Sequence, residues 1–178
     1  LKEDTDIVPL IAERSIHKVD FYVSSGKKEG AQLLCGGKRV KTDGFFYEPT
    51  IFTNVKKEMR IAKEEIFGPV ISLITAKDID EAISICNSVE YGLSSSIYTE
   101  NIKNAFLAIE KIDAGLTYVN SSTIGSEVHL PFGGVKGTGN GTREGGLLGI
   151  DEFSEIKTAY IDYSEKLQKA QIDTIYLK

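Results

Sequence analysis

Residues 78–120 run DIDEAISICNSVEYGLSSSIYTENIKNAFLAIEKIDAGLTYVN, and this stretch decides the fold class. Asp78 is placed to cap a helix, and Glu81 stands where a capping box puts its acidic partner. Ala82, Ile83, Ile85, Cys86 and Val89 follow as the apolar face, and Gly92 ends the unit. Residues 94–98 read as a strand. Asn101 then caps a second helix carrying Ala105, Phe106, Ile109 and Ile112, with Gly115 placed as its C-cap and residues 116–120 as the next strand. Strands separated by helices of this length are βαβ units. They predict an α/β domain with a largely parallel sheet and helices on its faces.

The alternation extends outward from this stretch. Upstream, residues 6–26 read as a helix with Ile16, Val19 and Val23 along one stripe, broken by Gly26 and Gly30. Residues 31–35 form a short strand closed by Gly36-Gly37. Residues 45–55 are extended with a turn near Pro49, and residues 67–76 are a buried-strand candidate, nearly continuous Val, Ile and Leu. Downstream, residues 121–149 are Gly-rich and without period, and a loop of that length in a compact domain is usually functional. Residues 156–163 carry apolar groups on both alternating faces and are expected to pair on each side. Residues 164–178 are a polar tail with Leu167, Ile172, Ile175 and Leu177, an arm or a frayed end. The resulting division is 1–151, 152–163 and 164–178.

Composition narrows the function. The chain has 178 residues, 41% hydrophobic and 26% charged, enough for one core and ordinary for a globular protein. Its net charge of −5 argues against nucleic acid as a main partner. The apolar runs are too short to span a bilayer. Cys35 and Cys86 make neither a disulfide framework nor a zinc site, no metal is expected, and with no signal-like segment a reducing cytoplasm is expected. The sequons at Asn120 and Asn140 read as chance. Residue 1 is Leu and the one methionine is Met59, so the chain as given is expected to start downstream of its translation start.

Two segments carry candidate chemistry. The loop from Phe132 to Gly146 matches neither the dinucleotide fingerprint nor the Walker spelling, and its glycines call for a backbone running close to another surface. In Ala62-Lys63-Glu64-Glu65-Ile66-Phe67-Gly68-Pro69-Val70, spacing alone favours a solvated Glu pair before a strand. The functional alternative is that Glu65 accepts both hydroxyls of a cis-diol such as a ribose. Phe67 would lie on the same side of an extended chain as an apolar wall. Cys35 closes an apolar strand and Cys86 is placed on the core face of a helix, where free cysteines are usually inert. His17 reads as a surface residue, and a lone His129 is a weak substrate-contact candidate.

In order, Ile61 to Val70, Tyr91-Gly92-Leu93, Ala114 to Asn120, Pro131 to Lys136 and Arg143-Glu144 resemble the C-terminal part of an NAD(P)-dependent aldehyde dehydrogenase. The resemblance covers the chain to about Tyr163. The wording at Glu127 to Phe132 and Gly139 to Gly141 resembles the branch acting on 2-oxoglutarate semialdehyde and related ω-carboxylated aldehydes.

That resemblance implies a three-layer α/β/α catalytic domain, present in part, and a C-terminal strand used in oligomerisation. It implies oxidation of an aldehyde through a cysteine thioester, with hydride passing to NAD or NADP and water completing the hydrolysis. Glu65 matches the glutamate on the nicotinamide-side ribose, and Phe67 the aromatic beside that ring. Phe132, with His129 nearby, matches the substrate tunnel. Glu144 matches a glutamate near the water path, and Arg143 holds the loop through ion pairs. Thr142 is one residue more than the common family wording. The nucleophilic cysteine, the general-base glutamate, the oxyanion-hole asparagine and the Rossmann-like domain all match positions upstream of Leu1. The chain alone is therefore expected to be inactive and to bind the cofactor weakly. Its expected partners are copies of itself or an N-terminal half, with a small aldehyde as substrate. The alternative is a non-catalytic oligomerisation module or one half of a split enzyme.

Overall fold

The computed structural model describes residues 5–166. Helix α1 (Glu13–Lys28) starts later than the periodicity predicts, because residues 5–12, with Pro9 among them, stay irregular. Its stripe of Ile16, Val19 and Val23 is buried as expected, with Tyr22 beside it. Strands β1 (Gln32–Cys35) and β2 (Thr50–Thr53) pair antiparallel, with a register shift between Leu33 and Cys35. The one-turn helix α2 (Arg60–Lys63) carries the chain across to β3 (Val70–Ser72), which pairs parallel to β2.

These elements close a core around Phe52, which is 0% exposed, with Ile16, Val19, Val23, Tyr47, Val55, Ile61 and Ile66. Full burial of such a side chain stabilises by about 1.5–3 kcal/mol each. Thr50 is also buried, and its hydroxyl is satisfied: it donates to the Glu48 carbonyl at 2.7 Å and accepts from Gly37 N–H at 2.8 Å. The segment 67–76, read as a buried strand, forms only three ladder residues. It lies at the edge of its sheet, and Ile71 points to the face away from the core that Val70 packs against, so it is 57% exposed.

The second region begins with α3 (Ile79–Asn87). Asp78 Oδ1 accepts from Glu81 N–H at 2.8 Å, and Glu81 Oε2 accepts from Lys77 N–H at 2.7 Å, a capping pair displaced by one residue. Strands β4 (Tyr91–Gly92) and β5 (Ser94–Ile97) follow, then α4 (Ile102–Lys111), β6 (Leu116–Val119), β7 (Val135–Lys136) and α5 (Gly146–Glu152). Asn101 caps α4 through Oδ1, accepting from Lys103 N–H at 2.9 Å and Asn104 N–H at 3.4 Å.

The helix faces differ from the periodic expectation. In α4 the small residues Ala105 and Ala108 are buried while Phe106 and Ile109 point outward, and in α3 only Ile83 is buried. Gly115 is not the C-cap of α4. That position is Ile112, and Gly115 immediately precedes β6, its N–H donating to the Gly92 carbonyl at 3.0 Å.

The architecture is α/β with mixed sheets, not one largely parallel sheet. β1–β2–β3 is mixed, β5–β6 is parallel and β4–β7 is antiparallel. The crossovers through α2 and α4 give the parallel pairs that the alternation called for. The antiparallel ones arise where the chain returns from loops without period. Residues 156–163 form no ladder: their side chains are exposed and no strand lies beside them among the described residues. Leu167, Ile172, Ile175 and Leu177 of the tail lie outside the described residues. No described helix is long and apolar enough to cross a membrane.

Candidate functional site

The Glu64–Val70 segment is fastened at several points, and Glu65 stands free between them. Leaving α2, the chain turns extended at Glu64, whose carboxylate accepts from the Tyr22 hydroxyl at 2.9 Å and lies 3.4 Å from Arg60 Nε. Ile66 enters the core. Gly68 lies so close to α1 that a Cβ there would overlap Val19 Cγ2. Pro69 is held by its carbonyl, which accepts from Thr50 N–H at 2.8 Å. Glu65 itself is exposed, and no described residue hydrogen-bonds or ion-pairs its carboxylate. It borders a cavity of about 370 Å³ whose wall includes Glu64, Tyr91, Leu93, Gly137 and Thr138. An acceptor with both oxygens free beside a concave surface fits a diol.

Phe67 is placed differently from the extended-chain expectation. Its φ of 58° turns the backbone into the left-handed region, and its ring, 77% exposed, lies outside the Glu65 cavity with Lys18 Nζ 6.0 Å from its centroid. A left-handed aromatic residue costs about 1–3 kcal/mol and persists where surrounding structure enforces it. Here Ile66 and Gly68 on either side supply the constraint.

A second cavity, of about 510 Å³, shares Leu93, Gly137 and Thr138 with the first. Phe132 and Glu144 both line it, joined by reciprocal backbone hydrogen bonds in an isolated antiparallel bridge. Asn140 Oδ1 accepts from Thr142 N–H at 3.0 Å and from its hydroxyl at 2.8 Å, so the additional residue is taken up in a local turn. The close backbone approach expected of this loop is present: a Cβ on Gly139 would overlap the Gly134 carbonyl, and one on Gly115 would overlap that of Gly133. Arg143 holds the loop, although through carbonyls and not ion pairs. Its Nη1 donates to Thr142 O at 2.8 Å and Gly134 O at 3.2 Å. Lys136 fastens β7 to the end of α3, donating to the carbonyls of Asn87 at 2.9 Å and Val89 at 3.2 Å. His129 is exposed and does not line the Phe132 cavity.

Neither cysteine enters these cavities. Cys35 ends β1 with Sγ 3.8 Å from the Pro49 carbonyl. Cys86 is exposed as a residue, contrary to its assignment to the core face, yet desolvation of its sulfur pushes the thiol pKa up, against a smaller lowering by Lys136. A raised thiol pKa is wrong for a thiolate nucleophile. Tyr91, Leu93 and Thr138 carry no role that the sequence spells out. Tyr91-Gly92-Leu93 stands out as a motif, but only β4–β7 pairing and the bond from Gly92 N–H to Thr138 Oγ1 at 3.0 Å bring these groups together.

The profile of the Aldehyde dehydrogenase family matches residues 1–159. This chain belongs to that family. It is 44% identical over 165 residues to the alpha-ketoglutaric semialdehyde dehydrogenase of Bacillus subtilis, covering 90% of this aldehyde dehydrogenase chain and 34% of the relative. It is 43% identical over 159 residues to an aldehyde dehydrogenase of Enchytraeus buchholzi, covering 89% and 32%. Among solved structures, the NAD-dependent aldehyde dehydrogenase from Sinorhizobium meliloti superposes with a TM-score of 0.88 at 41% identity, over 94% of this chain and 33% of that one. The NAD+ complex of an aldehyde dehydrogenase from Bacillus cereus gives 0.85 at 35%, over 91% and 33%. The chain spans about a third of the length of the curated relatives it matches.

Proposed function

We propose that this chain supplies the C-terminal portion of the active site of an NAD(P)-dependent aldehyde dehydrogenase acting on an ω-carboxylated aldehyde of the 2-oxoglutarate semialdehyde type. The supporting observation is the unpartnered Glu65 carboxylate at a cavity that shares its wall with the one lined by Phe132 and Glu144. Glu65 holds the ribose hydroxyls on the nicotinamide side. Bound NAD(P) supplies the hydride acceptor. Phe132 lines the aldehyde tunnel, and Glu144 stands near the water path. The substrate class rests on the likeness to the Bacillus subtilis relative.

The nucleophile comes from outside this chain, because both cysteines lie away from the two cavities. The purified chain, its mass confirmed, is expected to reduce no NAD with a short aldehyde or with 2-oxoglutarate semialdehyde. Mixing it with an N-terminal half of an aldehyde dehydrogenase is expected to restore turnover. Activity of the chain alone overturns this assignment.

A second reading, an assembly module, has its own support in the exposed apolar side chains of Phe153, Ile156, Tyr160 and Tyr163. Light scattering separates the two. A clean monomer counts against the module, and a stable oligomer without restored activity counts for it.

A further inference from the structure

We propose that Tyr22 is a positioning residue for the cofactor site, holding Glu64 so that the neighbouring Glu65 carboxylate is presented at the angle a ribose diol requires. This rests on the assignment of Glu65 above. Helix α2 is a single turn, too short to orient the residues beyond its C-terminus, so the path of the chain at Glu65 depends on tertiary contacts. Ile66 anchors the far side in the core. On the near side, α2 is held by Ile61 in the core and by Arg60, whose N–H donates to Glu29 Oε2 at 2.7 Å and whose guanidinium lies 5.3 Å from the Phe21 centroid, but these contacts act on the start of the turn. At Glu64 itself, the hydrogen bond that reaches α1 is the 2.9 Å bond from Tyr22.

Tyr22 is suited to that task. It is 8% exposed, and the flanking Val19 and Val23 are buried, so its ring has little freedom. Its edge meets Phe21 at 5.3 Å, and Lys18 Nζ lies 5.9 Å from its centroid. Desolvation and Glu64 both raise its pKa, which keeps the hydroxyl a donor throughout the neutral range. Glu65 has no partner of its own to correct a misplaced backbone. A Tyr22→Phe change keeps the ring packing and removes only the bond.

The test uses the assembled enzyme and NAD itself, with binding measured by titration calorimetry and with KM for NAD and for aldehyde measured separately. Tyr22→Phe is expected to raise the NAD Kd by about tenfold, the effect of one hydrogen bond to a charged group, and to leave the aldehyde KM unchanged. Glu64→Ala, a surface change, is expected to reproduce the loss, and Glu64→Gln, which keeps an acceptor, to restore most of it. In a Glu65→Gln background, Tyr22→Phe is expected to add nothing further. An unmoved NAD Kd in Tyr22→Phe and Glu64→Ala, with Glu65→Gln still weakening NAD, overturns the proposal. So does an equal rise in both KM values with a lowered melting temperature, the signature of general loosening. If Glu65→Gln is itself without effect, the cofactor-site assignment fails instead.

Discussion

Phe132 and Glu144 are locked face to face by a pair of backbone hydrogen bonds, each residue donating one N–H and accepting at its carbonyl, and both border the same cavity. The bridge ties the two ends of a glycine-rich excursion together. An aromatic wall and a carboxylate distant in sequence therefore share one surface. Close backbone contact under the bridge is what makes it possible.

Gly115 supports that geometry. A methyl group at this position overlaps the Gly133 carbonyl and crowds Gly134 Cα, backbone atoms that leave little room to relax. Gly115→Ala is expected to destabilise the chain by about 1–3 kcal/mol, read as a lowered urea midpoint at constant slope. An unshifted midpoint would show that the loop yields freely.

Glu65→Gln in the assembled enzyme is expected to weaken NAD binding or slow hydride transfer by about tenfold to a hundredfold, since an amide replaces a charged acceptor at a diol. Steady-state kinetics against NAD at saturating aldehyde checks this. Unchanged KM and kcat remove Glu65 from the site.

Asp78 accepts from Glu81 N–H at the start of α3. Asp78→Ala is expected to cost about 1 kcal/mol, and Asp78→Ser much less, because Ser still caps. Denaturant titration of the three proteins ranks them.

Stability is expected to fall in alkaline solution. The Tyr47 hydroxyl is buried and donates to Asp20 Oδ1 at 2.7 Å; desolvation first, then the Asp20 bond, push its pKa well above the ordinary value of 10.0. Below that value the tyrosine is neutral in both states and its full contribution is present. As pH rises above 10 the unfolded chain loses its proton while the folded one keeps it, so stability declines toward the folded pKa. Tyr47→Phe is expected to flatten part of that decline in unfolding midpoints measured from pH 8 upward. An unchanged slope would assign the alkaline loss to other groups.

The site was partly legible before the fold. Glu65 stood out because a carboxylate before an aromatic and a Gly-Pro corner has a chemical use, and the motif order carried the family. Two-residue alternation holds only for extended backbone, and the φ of 58° at Phe67 takes that residue off the pattern. Phe106 and Ile109 fall on the apolar stripe yet face outward, because periodicity locates a stripe without saying which element covers it.

By itself, the sequence determined the segments that local chemistry controls. The caps at Asp78 and Asn101, the buried stripe of α1 and the glycine-enforced close contacts follow from short-range hydrogen bonding and sterics. Only the tertiary structure decided that the sheets are mixed, that Tyr22 grips Glu64, and that Thr138 and Leu93 form the wall between the Glu65 and Phe132 cavities. Those relations join residues far apart in the chain. Their energies come from strand pairing and burial, which exist only once the chain has closed on itself.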